Sequence, residues 1–334
     1  MFNKTKSIDG IYLRDRILKY ILSVISILLI NYSCNSCNRL NNENKTDQIG
    51  LFDISKDDRS ILFSYIIGNK SSIYQIDTNG KGLKVIVPST KVINYFNPKY
   101  SKKSQKILFL GKRNDLNTYN SSIYIANSDG TGIERITDGN EIISEAIFSD
   151  CEDKIYYCKA GEYGHSSPLG TDQAHGIDVY SIDLNNRKVE RVTNLNAYGI
   201  FHISEYDCQN ILMFIPVPDK EGMAVVPKIK TDKIQFIDPT NHLRENPSMY
   251  YAPVYSKKYN TLAFIATYEL MQMSMDDKNA KVVVNQNNEG HSQIDNVVLF
   301  NNERKMAYTT DFGTEFILVC YDGSNLKHIK IPLK

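Results

Sequence analysis

A repeated stretch of sequence limits the possible folds of this chain of 334 residues more than any other feature. SSIYQIDTNGKGLKVI at 71–86 returns as SSIYIANSDGTGIERI at 121–136, with the Ile-Tyr pair, the Gly-containing turn and the apolar alternation in register. Each copy follows a polar turn and a short apolar run, and this pair occurs six times, with turns that start near residues 55, 101, 149, 204, 256 and 301. The resulting spacings of 46, 48, 55, 52 and 45 residues are typical of a four-stranded propeller blade.

Within each unit, apolar and polar residues alternate in short runs, which is the pattern of β-strands. In the second unit the runs are KILFL at 106–110, SIYIA at 122–126 and IERIT at 133–137, and EAIF at 145–148 starts the next blade as its innermost strand. Asn, Asp and Gly between the third and fourth strands suit tight hairpins, so we assign them a structural role and not calcium binding. The sequence therefore predicts an all-β fold, a six-bladed β-propeller of four-stranded antiparallel blades.

The first 37 residues differ in kind from the repeats. Five basic residues precede the eleven-residue apolar run YILSVISILLI at 20–30, which is too short to span a bilayer, and small and polar residues follow it. This pattern predicts an export signal over residues 1–37. We expect a polar tether over residues 38–48 and a single β-propeller domain over residues 49–334.

Two cysteines follow the apolar run in NYSCNSC at 31–37, each directly after a serine. This arrangement resembles the cleavage and lipidation site of bacterial lipoproteins, although the aliphatic residue that those proteins carry three positions before the cysteine is absent. The resemblance implies lipidation at Cys34 or Cys37, with Cys34 preferred; ordinary cleavage and an uncleaved anchor are the alternatives. It also implies an exported protein of the bacterial cell envelope, periplasmic or at the surface, which an N-terminal lipid anchors to the membrane.

The repeat itself has a motif: a turn beginning S-[DK], an apolar strand, I-Y-x-x-[DN]-x-x-G, and a strand ending in R-[IV]-T, as at Thr137 and Thr193. This motif resembles the propeller repeat of TolB and its relatives over about residues 49–334. The resemblance implies six blades in a closed ring. TolB carries an additional α/β domain before its propeller, and we expect none between residues 38 and 49, so the chain resembles a TolB-like propeller lipoprotein without that domain.

Composition and short motifs exclude several functions. A net charge of +1 provides no basic field for nucleic acid, and we expect a monomer without a nucleic-acid partner. No GxSxG elbow, P-loop or GxGxxG motif indicates a hydrolase or nucleotide site. No CxxC spacing occurs in the residues after the expected export signal, 38–334, called here the body. We expect no disulfide there, because neighbouring blades splay apart and a bridge tolerates a Cα separation of only about 7 Å. The body cysteines are Cys151, Cys158, Cys208 and Cys320.

Three loops between second and third strands are expected to be long: residues 111–120, 159–177 and 216–233. These loops and the blade-to-blade connections share one face of a propeller, and long loops on a rigid scaffold are where binding usually resides. The binding candidates on this face are Tyr163, His165, Gln173, His175, His242 and His291. Asp172 and Asp178 fit a loop-capping role equally well.

Two functions follow from this arrangement. The favoured one is a non-enzymatic, membrane-tethered propeller that binds an envelope protein or glycan through its long loops and needs no cofactor. The alternative is a metal-dependent polysaccharide lyase. Oligogalacturonate lyases are propeller enzymes of related repeat type that use histidines and a metal, and His165, Gln173 and His175 resemble a fragment of such a site. The catalytic candidates are His165, His175 and His202, of which the last lies on an innermost strand, and the metal candidates are His165 and His175. A divalent metal would require several of the histidines to lie about 2.0 to 2.2 Å from it.

Overall fold

The computed structural model describes residues 47–114, 119–165, 172–217, 220–241, 250–266, 269–285, 293–310 and 313–332. These residues form six four-stranded antiparallel sheets and one two-stranded sheet, and the six larger sheets are the blades of a β-propeller. The predicted fold class is confirmed. The expected leader and almost all of the expected tether lie outside the described residues. Within the ranges given above, no helix is long and apolar enough to span a bilayer.

Each blade is built from one continuous stretch of chain, with its innermost strand first. The first three blades contain β1 (Gln48–Ile54), β2 (Ser60–Ile67), β3 (Lys70–Asp77) and β4 (Lys84–Val87); β5 (Ile93–Tyr100), β6 (Lys106–Arg113), β7 (Ser121–Asn127) and β8 (Glu134–Arg135); and β9 (Ile143–Phe148), β10 (Lys154–Lys159), β13 (Asp178–Asp183) and β14 (Val189–Arg191). Between β10 and β13, the strands β11 (Glu162–His165) and β12 (Asp172–His175) form the two-stranded sheet.

The other three blades have the same order. They contain β15 (Phe201–Glu205), β16 (Asn210–Val217), β17 (Lys220–Pro227) and β18 (Gln235–Phe236); β19 (Tyr250–Ser256), β20 (Thr261–Ala266), β21 (Glu269–Ser274) and β22 (Ala280–Asn285); and β23 (Ile294–Leu299), β24 (Lys305–Thr310), β25 (Glu315–Cys320) and β26 (Lys327–Lys330). Innermost strands run from the face with the second-to-third-strand loops, called here the long-loop face, to the face with the first-to-second-strand turns, called the turn face.

The hydrophobic core lies between adjacent blades. Second strands are buried on both faces, as in SILFSYII of β2, because each blade packs against a neighbour on either side. Between the first and second blades, Leu62 and Ile73 pack in one cluster with Ile107 and Phe109. Similar clusters join the third blade to the fourth, the fourth to the fifth, and the fifth to the sixth.

The ring closes without exchange of a strand between the first and last blades. β1 is the innermost strand of the first blade, which confirms the expected position of residues 49–54. Phe316 of the sixth blade makes edge contacts with Phe52 and Phe63, with ring centroids 5.0 and 5.1 Å apart. The backbone N–H of Ile49 donates to the Gly313 carbonyl at 3.0 Å. Aromatic packing and hydrogen bonds therefore close the ring.

The R-[IV]-T motif has a structural role in the second and third blades. The hydroxyl oxygens of Thr137 and Thr193 accept hydrogen bonds from the backbone N–H groups of Ile123 and Val179, at 3.0 and 2.9 Å. The arginine two positions before each threonine donates through Nε to that threonine's carbonyl oxygen, at 2.8 and 2.9 Å. The motif thus fastens the outermost strand to the third strand where regular pairing ends.

One expected loop is wrong. Residues 216–233 were expected to form a long loop, but Val217 pairs with Lys220 across a tight connection, and β17 continues through Pro227. The segment GMAVVP at 222–227 is a largely buried strand. The unbroken apolar run of this segment is instead buried as the third strand of the fourth blade, paired with β16. The long loops of the long-loop face are therefore those of the second and third blades.

Candidate functional site

The longest described excursion from the propeller is the hairpin of β11 and β12 in the third blade. Glu162 pairs with His175, Gly164 with Gln173, and His165 with Asp172. At its base the backbone N–H of Gly161 donates to the Gly176 carbonyl at 3.0 Å. Gly176 has φ of 64°, which a residue with a Cβ adopts at a cost. The residue types at the base therefore let the chain leave and re-enter the blade in a narrow space.

Two tyrosines connect this hairpin to the long loop of the second blade. Tyr119 and Tyr163 are stacked, with ring centroids 4.1 Å apart and planes inclined by 17°. Lys112 Nζ lies 4.9 Å from the centre of the Tyr119 ring, and the Tyr163 hydroxyl donates to the Asp172 carbonyl at 3.2 Å. Tyr163 remains 37% exposed. We call the surface formed by Lys112, Tyr119 and the β11–β12 hairpin the aromatic ridge.

His175 and His165 lie at different positions of the hairpin. His175 Nδ1 is 3.5 Å from Glu162 Oε1, its cross-strand neighbour. His165 pairs with Asp172, three positions further along the strand. The described contact of His175 is with a carboxylate of its own hairpin.

Asp178 has a capping role. Its side chain is 1% exposed and forms an ion pair with Arg191. It also accepts hydrogen bonds from the Thr193 hydroxyl at 2.6 Å and from the Leu195 backbone N–H at 2.6 Å. All these donors lie in or next to the outer strand of the same blade, so Asp178 fixes the start of the connection to the fourth blade. Asp172, by contrast, lies at the hairpin tip.

His202 lies on β15 and lines the central channel. It has φ of 53°, and Asn97 and Ala252 have φ of 52° at the bulges of β5 and β19. A conformation that recurs in three blades belongs to the architecture of the inner strand, and it does not mark His202 as catalytic. Burial, and after it the charge of Lys99, lowers the pKa of His202 to about 4, so the imidazole is neutral at physiological pH.

The channel wall is held by side chains that bond across blade boundaries. Glu145 on β9 accepts hydrogen bonds from the backbone N–H groups of His202 and Ile203, at 2.8 and 2.9 Å. Asp53 on β1 accepts one from the backbone N–H of Tyr100 at 2.8 Å. Burial raises the pKa of Glu145, although these hydrogen bonds act against that shift. Both carboxylates therefore stabilise the ring of inner strands.

The described side chains do not fit a three-ligand metal centre. No group of three or more His, Cys, Asp or Glu among them could hold a metal ion. His242, His291 and the side chain of His165 lie outside the described residues, so the convergence of the histidines stays a prediction. Cys151, Cys158, Cys208 and Cys320 form no disulfide with one another.

Sequence reasoning missed Lys112 and Tyr119 as members of the site. Both lie in the segment GKRNDLNTYN, which was assigned as a loop without a specific residue. Their role depends on contact with a hairpin of the next blade, some forty residues further along the chain. Loop length indicated the right face, but only the fold shows which aromatic side chains meet there.

Comparison with solved structures shows the fold. TolB from Acinetobacter baumannii aligns with a TM-score of 0.60 and 13% identity, over 87% of this chain and 65% of TolB. Hydrazine synthase from Kuenenia stuttgartiensis aligns with a TM-score of 0.63 and 13% identity, over 86% of this chain and 46% of the synthase. An oligogalacturonate lyase in complex with manganese aligns with a TM-score of 0.53 and 8% identity, over 86% of this chain and 79% of the lyase.

No family model and no curated protein matches the sequence. In the structural alignments, the chain spans less than two thirds of the length of TolB and about half that of the synthase. At these identities the similarity establishes a TolB-like propeller fold, which unrelated activities share.

Proposed function

We propose that this protein is a membrane-tethered propeller of the bacterial cell envelope that binds a protein or glycan partner through the aromatic ridge. The observation that carries the proposal is the stack of Tyr119 on Tyr163, which joins loops from two blades into one raised surface. Stacked tyrosines provide rigid amphipathic contact area, and they lose little conformational entropy on binding because they are already ordered.

The composition of the ridge suits a polar partner with some apolar surface. Lys112 places a positive charge and Glu162 a negative charge beside the rings, and Tyr163 presents part of its ring to solvent. Tyrosine rings of this kind pack on the apolar faces of sugars and on peptide side chains alike. A further exposed ring, Tyr198, lies near the base of the hairpin and is 47% exposed. The residue before it, Ala197, forms a β-bridge with Ile177, two residues after β12.

The envelope location rests on the leader-like segment of residues 1–37 and on the TolB-like fold. A tether would keep the propeller close to membrane-bound or wall-bound partners and raise their effective concentration.

Site-specific photo-crosslinking tests the proposal. A photoreactive phenylalanine analogue at position 163 of the full chain, produced in its source cells, should give a discrete adduct with an envelope protein or glycan. The same analogue at Lys103, an exposed residue of the turn face, serves as the matched control. The proposal fails when position 163 yields no adduct, or when both positions yield the same adducts.

A further inference from the structure

A cavity of about 370 Å³ lies in the central channel, away from the aromatic ridge. Residues from the innermost strands of all six blades line it, and its lining extends to the first-to-second-strand turns at Lys102, Glu152 and Lys258. It therefore occupies the half of the channel next to the turn face. Its volume falls within the range of about 300 to 1,000 Å³ that small-molecule sites in proteins have.

The carboxylates of the lining already have partners. Asp53 and Glu145 accept backbone hydrogen bonds from the neighbouring inner strands, as described above. Glu152 accepts four hydrogen bonds from the turn of the second blade. Glu205 pairs with Lys228, whose side chain is only 7% exposed. Asp150, the remaining acid of the lining, is exposed at the rim. Asp53, Glu145, Glu152 and Glu205 thus each bind donors of the protein itself, although one oxygen of Glu205 is buried without a hydrogen-bond partner.

Two donor side chains of the lining, Lys99 and His202, make no hydrogen bond with a described residue. Lys99, on β5, is half-buried, and its ammonium group makes no hydrogen bond or close ion pair with any described residue, although its charge acts to lower the pKa of Glu145. The imidazole of His202 likewise makes no hydrogen bond with a described residue, and only its backbone N–H is bonded. The two side chains lie close enough that the charge of Lys99 contributes to the lowered pKa of His202. The cavity therefore offers a cation and a neutral hydrogen-bond donor that make no direct hydrogen bond to the described side chains.

The rest of the wall is largely apolar. Ile147, Phe148, Val254, Val298 and Phe300 contribute to it, from three different blades. An ammonium group on an apolar wall is stabilised by an anion that brings its own apolar body, because the low local dielectric strengthens the charge pair. A hydrated inorganic ion would leave this apolar surface uncovered.

We propose that the channel cavity binds a small organic anion, with its carboxylate between Lys99 and His202 and its apolar part against the wall of Phe148, Val254 and Phe300. The site is separate from the aromatic ridge and does not depend on the function proposed for it. Access is from the turn face, where Lys102, Lys257 and Lys258 form a basic rim that attracts anions.

Three probes of one shape test the charge preference: hexanoate, hexanamide and hexylamine, titrated calorimetrically into the purified full-length protein. Hexanoate should bind, hexanamide should bind at least about ten-fold more weakly, since a hydrogen bond to a charged group contributes about 1.5 to 3 kcal/mol, and hexylamine should not bind. Lys99→Met should weaken hexanoate binding by about ten-fold or more, and Lys99→Arg should retain most of it.

Lys81→Met is the matched control, because Lys81 is exposed in the hairpin between β3 and β4 and does not line the cavity. It should leave hexanoate binding within about two-fold, the effect expected for a screened surface charge. The Tyr119→Ala/Tyr163→Ala variant should also bind hexanoate normally, which separates this site from the ridge. The proposal is overturned by absence of hexanoate binding, by stronger binding of hexylamine, or by loss in Lys81→Met with retention in Lys99→Met.

Discussion

Glu152 of the third blade accepts a 2.6 Å hydrogen bond from the backbone N–H of Lys103 in the second blade. Its other oxygen accepts one from the backbone N–H of Ser104 at 3.1 Å. Asp58 of the first blade binds the sixth blade in the same way, since the N–H groups of Asn301 and Asn302 donate to its two oxygens at 2.7 Å each. At two blade boundaries, one of them the closure of the ring, a carboxylate thus holds the turn of the preceding blade.

Replacing Glu152 should weaken the boundary between the second and third blades. Glu152→Gln replaces one accepting oxygen by an amide NH2 group, which then faces the donors of the second blade. We therefore expect the free energy of unfolding to fall by about 1 to 3 kcal/mol in urea titrations at pH 7. Glu303→Gln is the matched control, because Glu303 has the same place in the turn of the sixth blade but is exposed and pairs with Lys305.

The same variant should show a pH dependence. Burial acts to raise the pKa of Glu152, but the hydrogen bonds from Ser101 and Ser104 outweigh burial and lower it below 4.5. Its stabilising contribution is therefore present above the unfolded pKa and is lost as the pH falls through the folded one. The difference between the wild type and Glu152→Gln should shrink in acid. A difference that stays constant from pH 7 to pH 3 would contradict this account.

His202 should make the protein sensitive to acid. Because its folded pKa of about 4 lies below the ordinary value of 6.5, the unfolded chain takes up the proton first as the pH falls. The free energy of unfolding should decline by up to about 3 kcal/mol between pH 6.5 and pH 4 through this group. His202→Asn, which tolerates φ of 53°, should remove that part of the decline. His328→Asn is the control, since His328 is 41% exposed beside Glu315; equal slopes for wild type and His202→Asn would refute the prediction.

The tyrosine stack should order the β11–β12 hairpin. A stacked aromatic pair contributes about 0.5 to 1.5 kcal/mol, so Tyr119→Ala should speed amide hydrogen exchange in residues 162–165 and 172–175 by about two- to ten-fold. Tyr119→Phe retains the stack and should leave exchange unchanged. Equal protection in both variants would show that the hairpin is ordered without the stack.

Lipidation should depend on one of the two leader cysteines. We expect Cys34→Ser to abolish incorporation of an alkyne-labelled fatty acid and to release the protein from membranes, while Cys37→Ser retains both. The reverse result would move the modified residue to Cys37. If the variant with both cysteines replaced still carries the label and stays on membranes, a lipid anchor at these cysteines is ruled out.

Elemental analysis distinguishes the proposed binding module from the lyase alternative. Without added chelator, the dialysed body of residues 38–334 should contain no stoichiometric divalent metal if the ridge is a binding surface. About one metal per chain, lost in His165→Ala/His175→Ala but retained in His328→Ala, would favour the lyase.

The sequence predicted the architecture well because repeated turns and strand patterns are local signals. The blade count, the strand order and the innermost position of β1 all follow from them. The site was predicted less well. Stacking of Tyr119 on Tyr163 depends on two blades that meet only in the folded ring, whereas the capping role expected of Asp178 involves donors of its own blade. The error at 216–233 has a similar cause, since pairing with the buried β16 places residues 220–227 in the sheet.

Closure of the ring through side chains, with every blade made of contiguous residues, means that the order of the blades in the gene is not fixed by the architecture. Joining the present ends of the propeller by a short linker and opening the chain between any two blades would leave every four-stranded sheet whole. A cyclically permuted protein that starts at the third blade would contain the same hydrogen bonds to the carboxylates of Asp58 and Glu152. The ring has a seam in its covalent chain, but its packing makes no structural distinction between a first blade and a last.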